Sequence, residues 1–162
     1  MSTERKNTNE LVLSDGEYAY TQDTTSGIIK THTGPMVINV TGQENPVAFD
    51  SAAQRFRRVP LEGAVCQSPI TPQGSYCVLW NPEQEGQHPD EKGKNISPPL
   101  LIGQRVNIPG PCTFSLWPRQ SAQVIGGHHL RSNQYLLVRV YDEEAAFANW
   151  RSAVVKPADG AP

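Results

Sequence analysis

Between Leu11 and Tyr141 proline and glycine cut the chain so often that it holds only short apolar runs, and this punctuation limits the elements it can build. Proline cannot donate to an inner β-ladder, and glycine supplies the positive φ that tight turns need. With 14 prolines and 13 glycines in 162 residues, short strands joined by turns are expected in place of long helices. The expected fold is mainly β: an antiparallel β-sandwich or barrel, or two small β-repeats, with one C-terminal α-helix.

Taken in order, residues 1–9 form a polar tail with nothing to repay the entropy of ordering. Leu11-Val12-Leu13 is a short apolar run, Ser14-Asp15-Gly16 a turn, and Glu17-Tyr18-Ala19-Tyr20 the start of a strand. Asp23 to Gly27 is the next loop and Ile28 to His32 its return strand. Gly34-Pro35 breaks the chain before Met36 to Val40, and Gly42 to Pro46 breaks it before Val47-Ala48-Phe49. From Gln54 to Val59 three arginines surround Phe56, read as the exposed face of a strand in preference to a phosphate contact. Leu61 to Gln73 is a connector. Ser75 to Trp80 is a strand with Tyr76, Val78 and Trp80 at alternate positions, and 81–99 is a long, polar surface loop.

The strongest strand signal lies between Gly110 and Tyr141. Cys112 to Trp117, Ala122 to Ile125 and Gln134 to Tyr141 read as an antiparallel meander. In the last of these, Leu136, Val138 and Val140 would face the core, and Tyr135, Leu137, Arg139 and Tyr141 the other side. The period then changes. Asp142 can cap a helix over 142–154, with Glu143 and Glu144 in its first turn and Phe147, Trp150 and Val154 on one stripe. Lys156-Pro157 ends it, and 156–162 has the composition of a linker or tail. One β domain is therefore expected over 10–155.

Laid side by side, the two halves of that domain repeat. Gly16-Glu17-Tyr18 matches Gly74-Ser75-Tyr76, and Gly27 leads to Gly34-Pro35 as Gly103 leads to Gly110-Pro111, at the same spacing. The half-repeats would span 11–60 and 73–142, each a β-hairpin followed by a bend. The extra residues of the second fall in the 81–99 loop, where insertion costs little.

The Gly-x-Tyr opening, the Gly-Pro bend, the segment Phe114-x-Leu116-Trp117-Pro118-x-Gln120 and the run Leu136 to Glu143 resemble the β-repeat domains of the major vault protein. The wording from Pro109 to Ala146 is also similar to structural proteins of large tailed bacteriophages. The resemblance implies a vault-like β-repeat that serves as a building block. Two departures are visible: the chain holds at most two units, and it runs from its last expected strand into a helix.

Chemistry is sparse. Formal net charge is -2, so no basic excess points to nucleic acid, and none is expected as a partner. The N-terminus lacks the apolar run of a secretory signal, and no stretch has the length of a membrane span. Cys66, Cys77 and Cys112 show no zinc-ribbon or redox spacing, so reduced thiols are expected. His128-His129 is the strongest metal-like feature. Adjacent strand residues point to opposite faces, so the pair could share an ion only on a turn, with Cys112 or Glu143 as a further ligand. That arrangement defines the alternative, a cupin-like metal-dependent enzyme. No Gly-x-Ser-x-Gly elbow occurs, and in Gly93-Lys94-Asn95 asparagine replaces the Ser or Thr of a phosphate loop. No catalytic, cofactor-binding or metal residue is assigned and no cofactor is expected. The candidate interface is Arg131, Tyr135, Arg139 and Tyr141, because arginine and tyrosine are the types enriched at interface hot spots. The expected role is a non-catalytic structural module that binds copies of itself or other proteins of a large particle. No membrane partner is expected, and the expected location is a virion if the chain is phage-encoded, otherwise the cytoplasm.

Overall fold

The computed structural model describes residues 9–135, 137 and 139–148. Its first half holds β1 (Glu10–Leu13), β2 (Glu17–Asp23), β3 (Ile29–Thr33), β4 (Met36–Asn39), β5 (Glu44–Asp50) and β6 (Arg55–Arg58), then a 3-10 turn (Glu62–Ala64) and β7 (Val65–Gln67). The second half holds β8 (Ile70–Thr71), β9 (Ser75–Trp80), β10 (Lys94–Ile96), β11 (Arg105–Pro109), β12 (Cys112–Thr113) and β13 (Ser121–Gly126). A short helix, α1 (Glu143–Ala148), follows.

All the pairings are antiparallel. One sheet runs β10-β3-β2-β5-β6 with β7 against the start of β2, a second runs β11-β9-β13, and β1-β4 and β12-β8 are two-stranded. The fold is thus mainly β, with several antiparallel sheets and no closed barrel.

The same register recurs in both halves. Residues before the central loop match at an offset of 58, as Gly16 to Gly74, and residues after it at 76, as Gly27 to Gly103; all four glycines have positive φ. With those offsets Tyr18↔Thr33 becomes Tyr76↔Pro109, Tyr20↔Val47 becomes Val78↔Gln123, and Leu13↔Met36 becomes Thr71↔Cys112. Turn bonds repeat too: Gly34 N–H donates to Glu17 O at 2.8 Å and Gly110 N–H to Ser75 O at 2.9 Å. The step in offset means that 18 extra residues lie between Asn81 and Gly103, since 76 exceeds 58 by that number.

The inserted stretch is not only the surface loop expected over 81–99. It folds back on the first half, where β10 adds to the free edge of β3. Gly93 N–H donates to Thr33 Oγ1 at 3.2 Å, and Thr33 Oγ1 in turn donates to the Asp90 carbonyl. The halves also share a core. Tyr18, Tyr20 and Val47 pack with Leu79 and Leu116, and Val106, Phe114 and Ala122 close around them. Burying Val47 and Leu79 stabilises the fold by roughly 1.5–3 kcal/mol each. A smaller cluster, Leu11, Leu13, Ala19, Ile38 and Ala64, lies under β1, β4 and the 3-10 turn of the first half.

Three expectations are corrected. The meander does not form: β12 pairs β8, β13 pairs β9, and neither pairs the other. The described residues of Gln134 to Tyr141 are not in a strand, and Val140, expected in the core, is 56% exposed. At Tyr141, the match of Val65, the obstacle lies in β9. In the first half β5 covers β2 only over Tyr20–Asp23, which leaves Glu17–Ala19 for β7. In the second half β13 runs along all of Ser75–Trp80, so a strand returning at 141–143 has no place left. Leu136 and Val138 lie outside the described residues, as do Trp150 and Val154 of the expected helix 142–154. What is described of that helix is Glu143–Ala148, opened by an Ala146 N–H bond to Asp142 O.

Candidate interaction surface

Alternation along β9 decides which side chains the second half turns outward. Leu79 is buried in the shared core and Cys77 is buried on the same face of β9, so Tyr76, Val78 and Trp80 point to the opposite face. There they are half-buried, joined by Ile125 from β13 and flanked by exposed Arg105, Asn107 and Gln123. The matched residues of the first half, Tyr18 and Tyr20, are each only 5% exposed, because the second half lies on them. The Tyr20 hydroxyl donates to the carbonyl oxygens of Leu116 and Trp117 at 2.9 and 3.3 Å. Its ring meets Tyr18 and Phe56 edge-on at 5.5 and 5.9 Å. No described layer plays that part for Tyr76, Val78 and Trp80.

The opposite end is polar. Where the second half has Leu79, Val106, Ile108 and Ala122, the first has Thr21, Lys30, His32 and Pro46 at the matched positions. Glu44 accepts from Lys30 at 2.7 Å and from Lys94 of β10 at 2.8 Å. Burial works against ionisation of Glu44, but the hydrogen bonds and charges of the two lysines outweigh it and hold its carboxyl at about 2. His32 Nε2 lies 2.8 Å from Thr21 Oγ1, and its Nδ1 has no partner among the described residues. Burial, with Lys94 adding to it, lowers the ring to about 4, so it is neutral at pH 7. One end is therefore closed by ion pairs and the other carries aromatic and aliphatic side chains, the contrast between a capping repeat and an inner one.

The residues expected at an interface lie in the segment after β13. Arg131, Tyr135, Arg139 and Tyr141 are all exposed, Tyr135 and Tyr141 nearly fully. The Arg139 guanidinium lies 5.7 Å from the Tyr141 ring centre. Arg131 instead belongs to a turn, with its carbonyl accepting from Gln134 N–H at 2.9 Å. The four are not on one strand face. Beside them Leu137 is 89% exposed, whereas the matched Leu61 packs on the first-half core and the neighbour of that residue, Ala64, is fully buried.

The other candidates gather no reactive constellation. His128 and His129 are exposed in the segment after β13, and among the described residues no group of three or more His, Cys, Asp or Glu could hold a metal. The three cysteines are free thiols. Arg55, Arg57 and Arg58 are exposed on β6, at the sheet edge, while Phe56 turns inward to Tyr20 and Phe49. A cleft of about 900 Å³ opens on the first half, with Glu10, Glu44, Glu62 and Arg58 in its wall. No described helix is long and apolar enough to cross a membrane.

Two features escaped the sequence reading. The Glu44–Lys30–Lys94 cluster depends on a residue 50 positions away, which no local pattern reveals. The contrast of ends was visible, because aligning the halves sets Thr21, Lys30 and His32 against Leu79, Val106 and Ile108. No protein-family model matches the chain, and no curated protein matches it.

Proposed function

We propose that this chain is a non-catalytic structural module of a large protein assembly, in which its second half meets copies of itself or other proteins, with a bacteriophage particle as the favoured setting. One observation carries the reading: Tyr76 and Val78, with Trp80 beyond them, are turned outward where the matches of the first two, Tyr18 and Tyr20, are buried under a further β-layer. A repeat that ends on such a face has the chemistry of an inner unit of a stack. Leu137, Tyr135 and Tyr141, in the segment after β13, are exposed too, and exposed apolar side chains of this kind mark protein contacts. The resemblance to vault β-repeats and to phage structural proteins supports the same reading.

The test is light scattering with negative-stain microscopy on purified protein, with and without a chelator. Discrete oligomers that ignore the chelator are the expected result. Arg131→Glu combined with Tyr135→Ala should leave the β circular-dichroism signal intact and abolish the larger oligomers. A compact monomer carrying stoichiometric metal would move the reading to the cupin-like enzyme.

A further inference from the structure

The free edge of β11 has an internal precedent that says what it binds. On β3, Gly34 N–H and the Ile28 carbonyl bond toward β2, whereas Thr33 N–H donates outward to Gly93 O. Odd-numbered residues of β3 therefore face β10, and Thr31 is paired there with Asn95. In β11, Gly110 N–H and the Gln104 carbonyl bond toward β9 in the same way. This leaves the N–H and C=O of Arg105 and Asn107, and the C=O of Pro109, on the outer edge. β11 pairs with β9 alone, and no described residue fills the place that β10 takes on β3.

The geometry points to a second copy of this chain as the occupant, with β11 pairing antiparallel to β11 of that copy about a two-fold axis at Asn107. This rests on the assembly reading above and names its partner and contact. β11 itself carries the residues that β10 uses. Asn95-Ile96 of β10 stand opposite Thr31 and Lys30, the matches of Asn107 and Val106, and β11 offers Asn107-Ile108 for the same two places. Asn107 meets Asn107 of the second copy as a hydrogen-bonded pair that exchanges two N–H···O bonds. Each Arg105 N–H donates to the Pro109 carbonyl of the other copy, so both outward donors of each edge are satisfied. Pro109, which has no N–H to give, faces the Arg105 carbonyl, which turns to water. A register shifted to a two-fold at Val106 would satisfy the same donors but would set Arg105 in the place that Asn95 takes on β3. Val106 and Ile108 then fall opposite each other at the close, non-hydrogen-bonded spacing, where β-branched pairs are favourable. The two small sheets become one continuous sheet.

The test is light scattering across a concentration series on the whole chain and on Asn107→Pro, with amide exchange at Arg105. Proline at 107 removes only an outward N–H, as Pro109 already does two residues on. The wild type should reach at least twice 17.8 kDa at high concentration, and Asn107→Pro should weaken the β11 contact at least about tenfold. Arg105 should be protected from exchange at high concentration and lose protection on dilution and in the variant. Independently of proline, Asn107→Cys should form a disulfide-linked dimer through residue 107 on oxidation, since hydrogen-bonded partners lie at a bridgeable Cα separation of about 5.5 Å. A wild type that forms oligomers at high concentration while its Arg105 amide exchanges freely would overturn the β11 contact and leave the assembly reading standing. A wild type that stays monomeric and carries stoichiometric metal would overturn both.

Discussion

The Tyr20 hydroxyl and the Leu116 carbonyl oxygen, 96 residues apart in sequence, lie 2.9 Å from each other inside the core that the two halves share. The bond ties the central strand of the first half to the Phe114–Gln120 segment of the second. That segment is itself pinned: Gln120 Oε1 accepts from Trp117 N–H, its Nε2 donates to Asn81 O, and the Trp117 indole N–H donates to Gln87 O, each at 2.9 Å. Tyr20→Phe keeps the ring contacts and strands a buried carbonyl. It should cost about 1–2 kcal/mol of unfolding free energy in urea titration, with one transition for the whole domain. Two separate transitions would mean that the halves fold independently.

Gly34 and Gly110 test the repeated turn. A methyl on either would overlap a backbone carbonyl oxygen, Ser14 O for the first and Pro72 O for the second. Neither oxygen belongs to a side chain that can swing away. Gly34→Ala and Gly110→Ala should each destabilise by about 3 kcal/mol or more. Gly42, with open space around it, should accept alanine within about 0.5 kcal/mol. Circular-dichroism melts of the three variants decide the matter, and equal melting points would contradict the matched turns.

Acid should unfold the chain in two stages. His32, buried and neutral beside Lys30, Lys94 and Glu44, is lowered from 6.5 to about 4. The unfolded chain therefore binds the extra proton between those values. Its contribution is whole above pH 6.5 and declines as pH falls toward 4, by about 3 kcal/mol in all. Glu44, lowered from 4.5 to about 2, contributes stability above pH 4.5 that fades as pH falls through 2. His88, stacked on Phe114 at 4.0 Å and also lowered by burial, adds to the first stage. Urea midpoints measured from pH 7 to 3 should show the upper limb flattened in His32→Gln and the lower one in Glu44→Gln. An unchanged upper limb in His32→Gln would assign it elsewhere.

How legible was this fold? Strand positions were, wherever turn chemistry and alternation agreed: β2 opens at Glu17, and β9 spans Ser75–Trp80. The duplicated hairpin was also readable, because glycines and Gly-Pro pairs recur at fixed spacing. Pairing was not. The run Gln134 to Tyr141 has the clearest alternation in the chain and makes no described strand: most of it matches 59–64, the connector and 3-10 turn of the first half, and at Tyr141 β13 already occupies the flank of β9. Alternation reports that a segment can form a strand, whereas the partner is decided by what the sheet has left open. Lys94 joins Glu44 for a similar reason: only the return of the inserted stretch to β3 brings them together. Of the proposed interface, exposure was read correctly from residue type. The shared strand face for Tyr135, Leu137, Arg139 and Tyr141 was not.

Val78→Asp places a charge at the centre of the outward face without touching the shared core, which Leu79 lines from the other side. The fold should persist, with a melting curve close to wild type, while association through that face is lost.

The most direct test of the assembly reading is therefore the solution mass of the wild type and of Val78→Asp, by light scattering over a concentration series with and without chelator. Oligomers indifferent to chelator are expected for the wild type at high concentration, and a smaller folded species for Val78→Asp. A wild type that remains at 17.8 kDa at every concentration would contradict self-association, and metal bound in that monomer would contradict the structural role as well.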